Sequence, residues 1–379
     1  QKTAYEIMPS LVGSEMCIRD RSIMVPAYNE AKVIRSRIEN LLELDYPDDK
    51  YEVLIVESGS TDATYEIAKS VIEQKANSKP AIKLIREGER RGKASAINLG
   101  AEQAKGDIVL VTDANSIFDR SVLRKIAPHF ADPKVGGVGG RYLVANPDNP
   151  LGSSEAFYWD LEYLMRYGEA LVDSACTFHG EINAWRKDLV RADMNMLTED
   201  LDMAVSIRRK GYKIAYEPEA EVYEPAATTA ADQIKQRKRT SIGTIQCMFK
   251  HLGYFLPPRD LYSLLIFPSH KILPMLCPFL LLLIPILYLL IRDLRVILLH
   301  LGITILVFLA LYALLLFLKS RLIRNADTSS KASATSILKI LYYVLLNQYL
   351  ILLAWKDILC GRYSVLWEKA ETARLESSP

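Results

Sequence analysis

From Ser22 to Glu224 the chain alternates between short apolar runs and stretches with helical periodicity. Ser22–Pro26 (SIMVP), Tyr51–Val56 (YEVLIV), Ala81–Arg86 (AIKLIR) and Ile108–Val111 (IVLV) are apolar, many of their residues β-branched, as buried strands are. Between them, Ile34, Ile38, Leu41 and Leu42 recur at helical spacing within Ala31–Leu44. Tyr65–Gln74 reads as a second helix, and a third opens just after Gly92. Strands alternating with helices predict an α/β, Rossmann-like fold, a mostly parallel sheet with helices on both faces. Val135–Val144 (VGGVGGRYLV) reads as a glycine-rich, strand-like turn, and no helix opens at its last glycine as a dinucleotide fingerprint requires. Ser153–Ala170 predicts a helix with Ser153 as its cap and Phe157, Tyr158, Leu161 and Leu164 as a core stripe. A further helix opens at Thr198 and ends at Gly211, a strand covers Ala220–Glu224, and Asp232–His251 is a basic amphipathic helix.

Beyond residue 255 the pattern changes to long runs of Leu and Ile. Ile272–Ile291 is 20 residues without a charge, about 30 Å as helix and enough to cross hydrocarbon. Val296–Leu318 predicts a second span and Ile337–Trp355 a third, with Leu261–His270 lying at the membrane interface. Lys319, Arg321, Arg324 and Lys331 follow the second span against one acid, Asp327. The positive-inside rule then puts the domain before residue 255 in the cytosol of a multi-pass plasma-membrane protein with membrane lipids as partners. The predicted domains are 22–255, 256–271 (interfacial), 272–360 (transmembrane) and a polar tail, 361–379. Residues 1–21 lack both helical and strand periodicity. Met8–Arg21 (MPSLVGSEMCIRDR) resembles translated sequencing-adapter sequence, so the native chain is expected to enter at Ser22.

Net charge is +2, and no strong field argues for a nucleic-acid partner. The five cysteines are scattered without a CxxC pair, against a zinc site or a disulfide framework. The chemistry gathers at strand ends, where open α/β sheets bind ligands. Tyr28, Glu30, Glu57 and Asp62 fall on loops just after strands, and Asp113 and Asn115 follow Val111. A carboxylate and an amide oxygen are hard donors suited to Mg²⁺ or Mn²⁺ carrying a diphosphate, though Asp and Asn are also common turn residues. Lys93 sits in the first turn of a helix, against the dipole, which hints at an anionic partner.

VPAYNE, VESGSTDAT, RRGKASAIN and TDANS, followed by FHGEINAWRKD, LTEDLDMAVSIRRKGYKI and QRKRTSIG, together resemble the family-2 glycosyltransferases of the GT-A fold over Ser22–Ile245. The resemblance implies inverting transfer of a sugar from a nucleotide-sugar, usually a UDP-sugar, with a divalent metal. It assigns Pro26, Tyr28, Glu30 and Glu57 to the nucleotide, with Glu57 where the family usually has Asp. Lys93 falls to the diphosphate or the base and Arg239 to the diphosphate side, and Asp113 and Asn115 occupy the DxD positions, Asn115 replacing an Asp. His179, Gly180, Glu199 and Gln236 fall on the acceptor side, with Asp200 as the base that takes the proton of the attacking hydroxyl.

Thr240 stands where the family's QxxRW element carries Trp, an aromatic surface for the acceptor sugar. Two enzymatic readings follow: extension of a cell-surface glycan, favoured by Gln236, Arg239 and Glu199-Asp200, or single-sugar transfer to a polyprenyl-phosphate lipid, favoured by the missing Trp. A non-catalytic membrane scaffold with the same fold is the alternative of another class.

Overall fold

The computed structural model describes residues 21–75, 79–146, 150–291, 295–296, 298–303, 306, 309 and 337–365. Residues 1–20, most of the second expected span, the basic loop after it and the end of the polar tail lie outside them. The elements are β1 (Arg21–Ala27), α1 (Ile34–Leu42), β2 (Tyr51–Glu57), α2 (Thr64–Gln74), β3 (Ala81–Arg86) and α3 (Lys93–Gln103). Next come β4 (Ile108–Val111), β5 (Ile117–Phe118), α4 (Val122–Ile126), β6 (Val135–Val144), α5 (Pro150–Val172) and β7 (Asn183–Arg186). They are followed by α6 (Glu199–Arg209), β8 (Lys213–Glu224), α7 (Ala230–Lys250), α8 (Leu273–Ile291) and α9 (Ile337–Leu359).

One sheet carries all eight strands in the order β3-β2-β1-β4-β7-β6-β8-β5. The β1–β4 half is parallel throughout, as the alternating pattern requires. The other half departs from the expected mostly parallel sheet. There β7 runs antiparallel to both β4 and β6, and β5 antiparallel to β8, while β6 and β8 are parallel. A tight turn, His179–Ile182, leads directly into the short β7.

Alternate residues of β1 and β2 feed two cores. Ile23, Val25, Val53 and Ile55 pack with Ile34, Ile38 and Leu41 of α1. Met24, Leu54 and Val56 pack with Ala94 and Ile97 of α3 and Met203, Ala204 and Ile207 of α6. Both faces of the strands are therefore dry, and the polar residues at their carboxyl ends are held at fixed positions.

Several expectations are corrected. The glycine-rich segment is a full strand, β6. The helix expected to open at Ser153 begins at Pro150, so Ser153 is not its cap. Its buried side is built on Glu162 and Arg166 with Trp159 beside them, while Tyr158, Leu161 and Leu164 are only half-buried. Thr198 does precede α6, but its hydroxyl caps no backbone N–H.

Two compact units are present, one of residues 1–273 with 350–379, the other 274–349. Leu261–His270 belongs to the first unit. Tyr262, Ile266 and Phe267 are buried in it while Leu264 and Leu265 stay exposed. Ile337–Trp355, expected as the third span, ends inside that unit as well. Leu350, Ile351 and Ala354 are buried, Trp355 meets Phe249 edge-on at 5.8 Å, and Asp357 pairs with Lys238. Among the described residues one helix, Tyr262–Tyr288, is long and apolar enough to cross a membrane, with 27 residues and a mean hydropathy of 2.1. The multi-pass expectation therefore rests on the sequence alone.

Candidate active site

Lys93 organises the site. Gly92, with φ of +96°, turns the chain into α3, so that Lys93 stands at the first position of the helix. Its Nζ lies 2.6 Å from Oδ1 of Asp113, which follows β4, and 3.5 Å from Oε1 of Glu199, the first residue of α6. It also donates to the Gly180 carbonyl at 3.3 Å. Four residues from four separate segments thus meet at one ammonium. Burial works against the charge on Lys93, but Asp113 and Glu199 outweigh it and hold the ammonium well above the ordinary lysine range. The cation that ran against the helix dipole is held by acids on the neighbouring loops.

Behind Asp113 the carboxylates accumulate. Oxygens of Asp113, Glu181 and Glu224 lie within 4.8 Å of one another. Glu224 ends β8 and accepts from the Ser116 hydroxyl at 2.7 Å. Glu181 is pushed up to about 8 by burial and by the charges of Glu224 and Asp113, with Lys93 pulling the other way. Beneath them Arg37 is fully buried, its guanidinium on the Thr112 hydroxyl and 4.2 Å from the Phe118 ring. Burial lowers Arg37 to about 9, against the charges of Asp113 and Glu224. Glu181, Glu224 and Arg37 were not singled out from the sequence. Glu181 adjoins Gly180 and was within reach of the motif reading. Glu224 and Arg37 look like a strand end and a helix surface until the sheet brings them under Asp113.

The residues expected on the acceptor side divide. Glu199 is buried and its carboxyl is raised, first by burial and then by the charge of Asp200, against Lys93 and Arg239. Asp200 follows it in the first turn of α6 and is half-buried. Arg239 and Gln236 both lie on α7, and the Gln236 carbonyl accepts from the Thr240 hydroxyl at 3.1 Å. His179 is buried, 3% exposed. Its ring stacks on Tyr142 at 5.9 Å and tilts against Trp159 at 4.8 Å. Burial and the nearby Arg166 hold its imidazole well below the usual range. A ring in that position forms a wall behind Glu181.

The residues expected at the nucleotide form a second group at the ends of β1 and β2. Pro26 lies in β1 opposite Val56. The Arg90 guanidinium lies 4.1 Å over the Tyr28 ring. The Glu30 backbone N–H donates to Thr64 at 2.6 Å. Asp62 accepts from the N–H groups of Thr64, at the start of α2, and of Ala31. Glu57, fully buried, accepts from the Ser60 N–H and pairs with Arg86 at 3.6 Å. Asn115 is buried two residues after Asp113.

A family model for glycosyl transferase family 2 matches residues 22–190, and one for glycosyl transferase family group 2 matches residues 108–319, more than half of the chain. The chain belongs to the family-2 glycosyltransferases. This glycosyltransferase is 31% identical over 228 residues to a poly-β-1,6-N-acetyl-D-glucosamine synthase of Staphylococcus aureus, covering 59% of this chain and 54% of that protein. It is 28% identical over 269 residues to a β-monoglucosyldiacylglycerol synthase of Synechocystis, covering 67% of this chain and 53% of that one. The chain thus spans about half the length of the curated relatives it matches. Its fold is that of a Pyrobaculum calidifontis mannosyltransferase solved with GDP-mannose and Mn²⁺, with a TM-score of 0.65, 22% identity and coverage of 95% and 94% of the two chains.

Proposed function

We propose that this glycosyltransferase moves a sugar from a nucleotide-sugar, a UDP-sugar by preference, to a hydroxyl of a cell-surface glycan, with inversion and in one displacement. The observation that carries the reading is the meeting at Lys93 of a donor-side acid, Asp113, and an acceptor-side acid, Glu199. The acceptor oxygen attacks the anomeric carbon as the bond to the diphosphate breaks. Asp200, beside Glu199, takes the hydroxyl proton. Lys93 and Arg239 offset the charge that builds on the leaving diphosphate, and fixed charges of this kind are often the largest contribution to catalysis. Pro26, Tyr28, Glu30 and Glu57 hold the nucleotide; His179 and Gly180 shape the acceptor side, with Gln236 beside them.

The site fits a divalent cation. Its donors are hard oxygens, and three carboxylates converge with one of them, Glu181, held partly protonated by its neighbours. Asp113, with Asn115 and the newly found Glu181 and Glu224, would hold Mg²⁺ or Mn²⁺. When bound, the cation neutralises the diphosphate leaving group. We read the Tyr262–Tyr288 helix as the membrane anchor of a plasma-membrane enzyme whose catalytic unit faces the cytosol. Transfer to a polyprenyl-phosphate lipid is the second reading, favoured by Thr240 in place of an aromatic acceptor platform.

The test is a donor screen with the full chain in membranes, using labelled UDP-glucose, UDP-N-acetylglucosamine and GDP-mannose. One UDP-sugar should be incorporated with Mn²⁺ or Mg²⁺ and not in excess EDTA. Undiminished transfer in EDTA would contradict the cation assignment. Product length on a gel separates glycan extension from single addition.

A further inference from the structure

The start of the apolar helix is tied to the loop that carries His179, Gly180 and Glu181. Tyr262–Ile266 and Pro268–Ile272 are wide π-helical turns, a form often found at functional positions. They turn Tyr262 and His270 inward, both buried. Three hydrogen-bonded routes run from these turns to residues 176–178. The Tyr262 hydroxyl donates directly to the Cys176 carbonyl at 2.6 Å. His270 Nδ1 meets Glu169 at 2.6 Å, and the other oxygen of Glu169 accepts from the Cys176 N–H at 2.9 Å. His270 Nε2 meets Glu162 at 3.1 Å, and Glu162 holds Arg166, which donates to the Phe178 carbonyl at 3.0 Å. Lys271 adds a charge 3.8 Å from Glu162.

Every route ends on main-chain groups of Cys176 and Phe178. A clamp that only fastened the helix to the catalytic unit could end anywhere on α5. This one ends on the segment that delivers Gly180 to Lys93 and Glu181 to Asp113 and Glu224. Glu162 and Arg166 are themselves buried, so the routes are dry and their geometry is exacting.

We propose that Tyr262 and His270 are positioning residues that set the acceptor-side loop, so that the helix leading to the membrane holds the loop in its reactive arrangement. The proposal rests on the reading of residues 179–181 as acceptor-side. The test uses the full chain in detergent micelles, as Tyr262→Phe, which removes one hydroxyl and keeps the ring, and His270→Gln. Amide exchange is followed peptide by peptide, alongside transfer with the donor that the screen selects and the lipid extract of the expressing membranes as acceptor. Exchange across 176–183 should accelerate about tenfold or more, the scale of one lost buried hydrogen bond, while β1, β2 and β4 exchange as in the wild type. Transfer should fall through kcat, while binding of the donor's free nucleoside diphosphate in EDTA, where the cation held with Glu181 plays no part, should stay within about twofold.

Unchanged exchange at 176–183 in both variants would overturn the proposal. So would acceleration spread evenly over the sheet, or a loosened loop with wild-type transfer. Absence of any sugar-nucleotide turnover by the wild type would instead sink the proposed function, and the exchange data would stand apart from it.

Discussion

The ammonium of Lys93 lies against both Asp113 and Glu199 and donates to the Gly180 carbonyl, and its removal exposes what it balances. Lys93→Met should lower stability in EDTA by about 1–3 kcal/mol, the cost of leaving a partly buried charge unpaired. Mn²⁺ should recover more of that loss in the variant than it adds to the wild type, because the cation replaces the missing charge. Thermal unfolding with and without Mn²⁺ checks both, and a variant as stable as wild type in EDTA would contradict the balance. His179 makes a pH prediction. Its imidazole is held low by burial and by Arg166, so below about pH 6.5 the unfolded chain binds a proton there that the folded chain does not. The stability it contributes is complete above that pH and is lost as pH falls, by up to about 1.4 kcal/mol per unit. His179→Phe keeps the stack on Tyr142 and Trp159 without the proton. Its stability relative to wild type should rise between about pH 7 and 5 in denaturant titrations; a constant difference would refute the burial argument. Lys93, Asp113 and Glu199 were legible because each sits in a local motif. Glu224 and Arg37 were not, since only the pairing of distant strands brings them together.

At the scale of elements, the placement of α6 against α7 decides where Glu199 and Asp200 point. Asp202 accepts from His251 at 2.8 Å and pairs with Lys250 at 2.8 Å, while Arg209, a donor only, gives to the other ring nitrogen at 3.1 Å. On the same interface a Cβ on Gly243 would stand 2.6 Å from the Thr198 side chain and 2.9 Å from its backbone N. Inside a helix, Gly→Ala ordinarily stabilises by about 1 kcal/mol. Here Gly243→Ala should destabilise by about 1–3 kcal/mol through overpacking, read as a lower unfolding midpoint in denaturant. A gain in stability would show that the two helices have room to part. The α6 boundary and its acids were readable from the sequence; the glycine contact was not, because helical spacing reports which face is apolar and not how closely two helices approach. The α5 stripe failed for a related reason. Trp159, Tyr163 and Tyr167 pack against the cores, but its most buried charged side chains are Glu162 and Arg166, satisfying each other and His270, and an apolar-periodicity argument is blind to paired charges.

For the whole molecule, the parallel half of the sheet followed directly from alternating strands and helices, while the antiparallel β7, four residues long, is too short to carry a periodic signal. The long apolar segment was legible as such. Its first turns nonetheless pack into the catalytic unit, because Tyr262, Ile266 and Phe267 alternate with Leu264 and Leu265 on opposite sides of one helix. If the Tyr262–Tyr288 helix enters a bilayer as composition and length allow, the full chain should stay in the membrane pellet after an alkaline carbonate wash. Release into the supernatant would refute the anchor.

The central claim is that one cleft binds a sugar-nucleotide's diphosphate near Asp113 and Lys93 and deprotonates an acceptor beside Glu199. Sugar transfer by Asp200→Asn, compared with wild type in the same membranes with saturating divalent cation, tests it most directly. The account predicts a loss of about 10²–10⁴-fold, the range of a general base, with binding of the nucleotide retained. Transfer at the wild-type rate would contradict it.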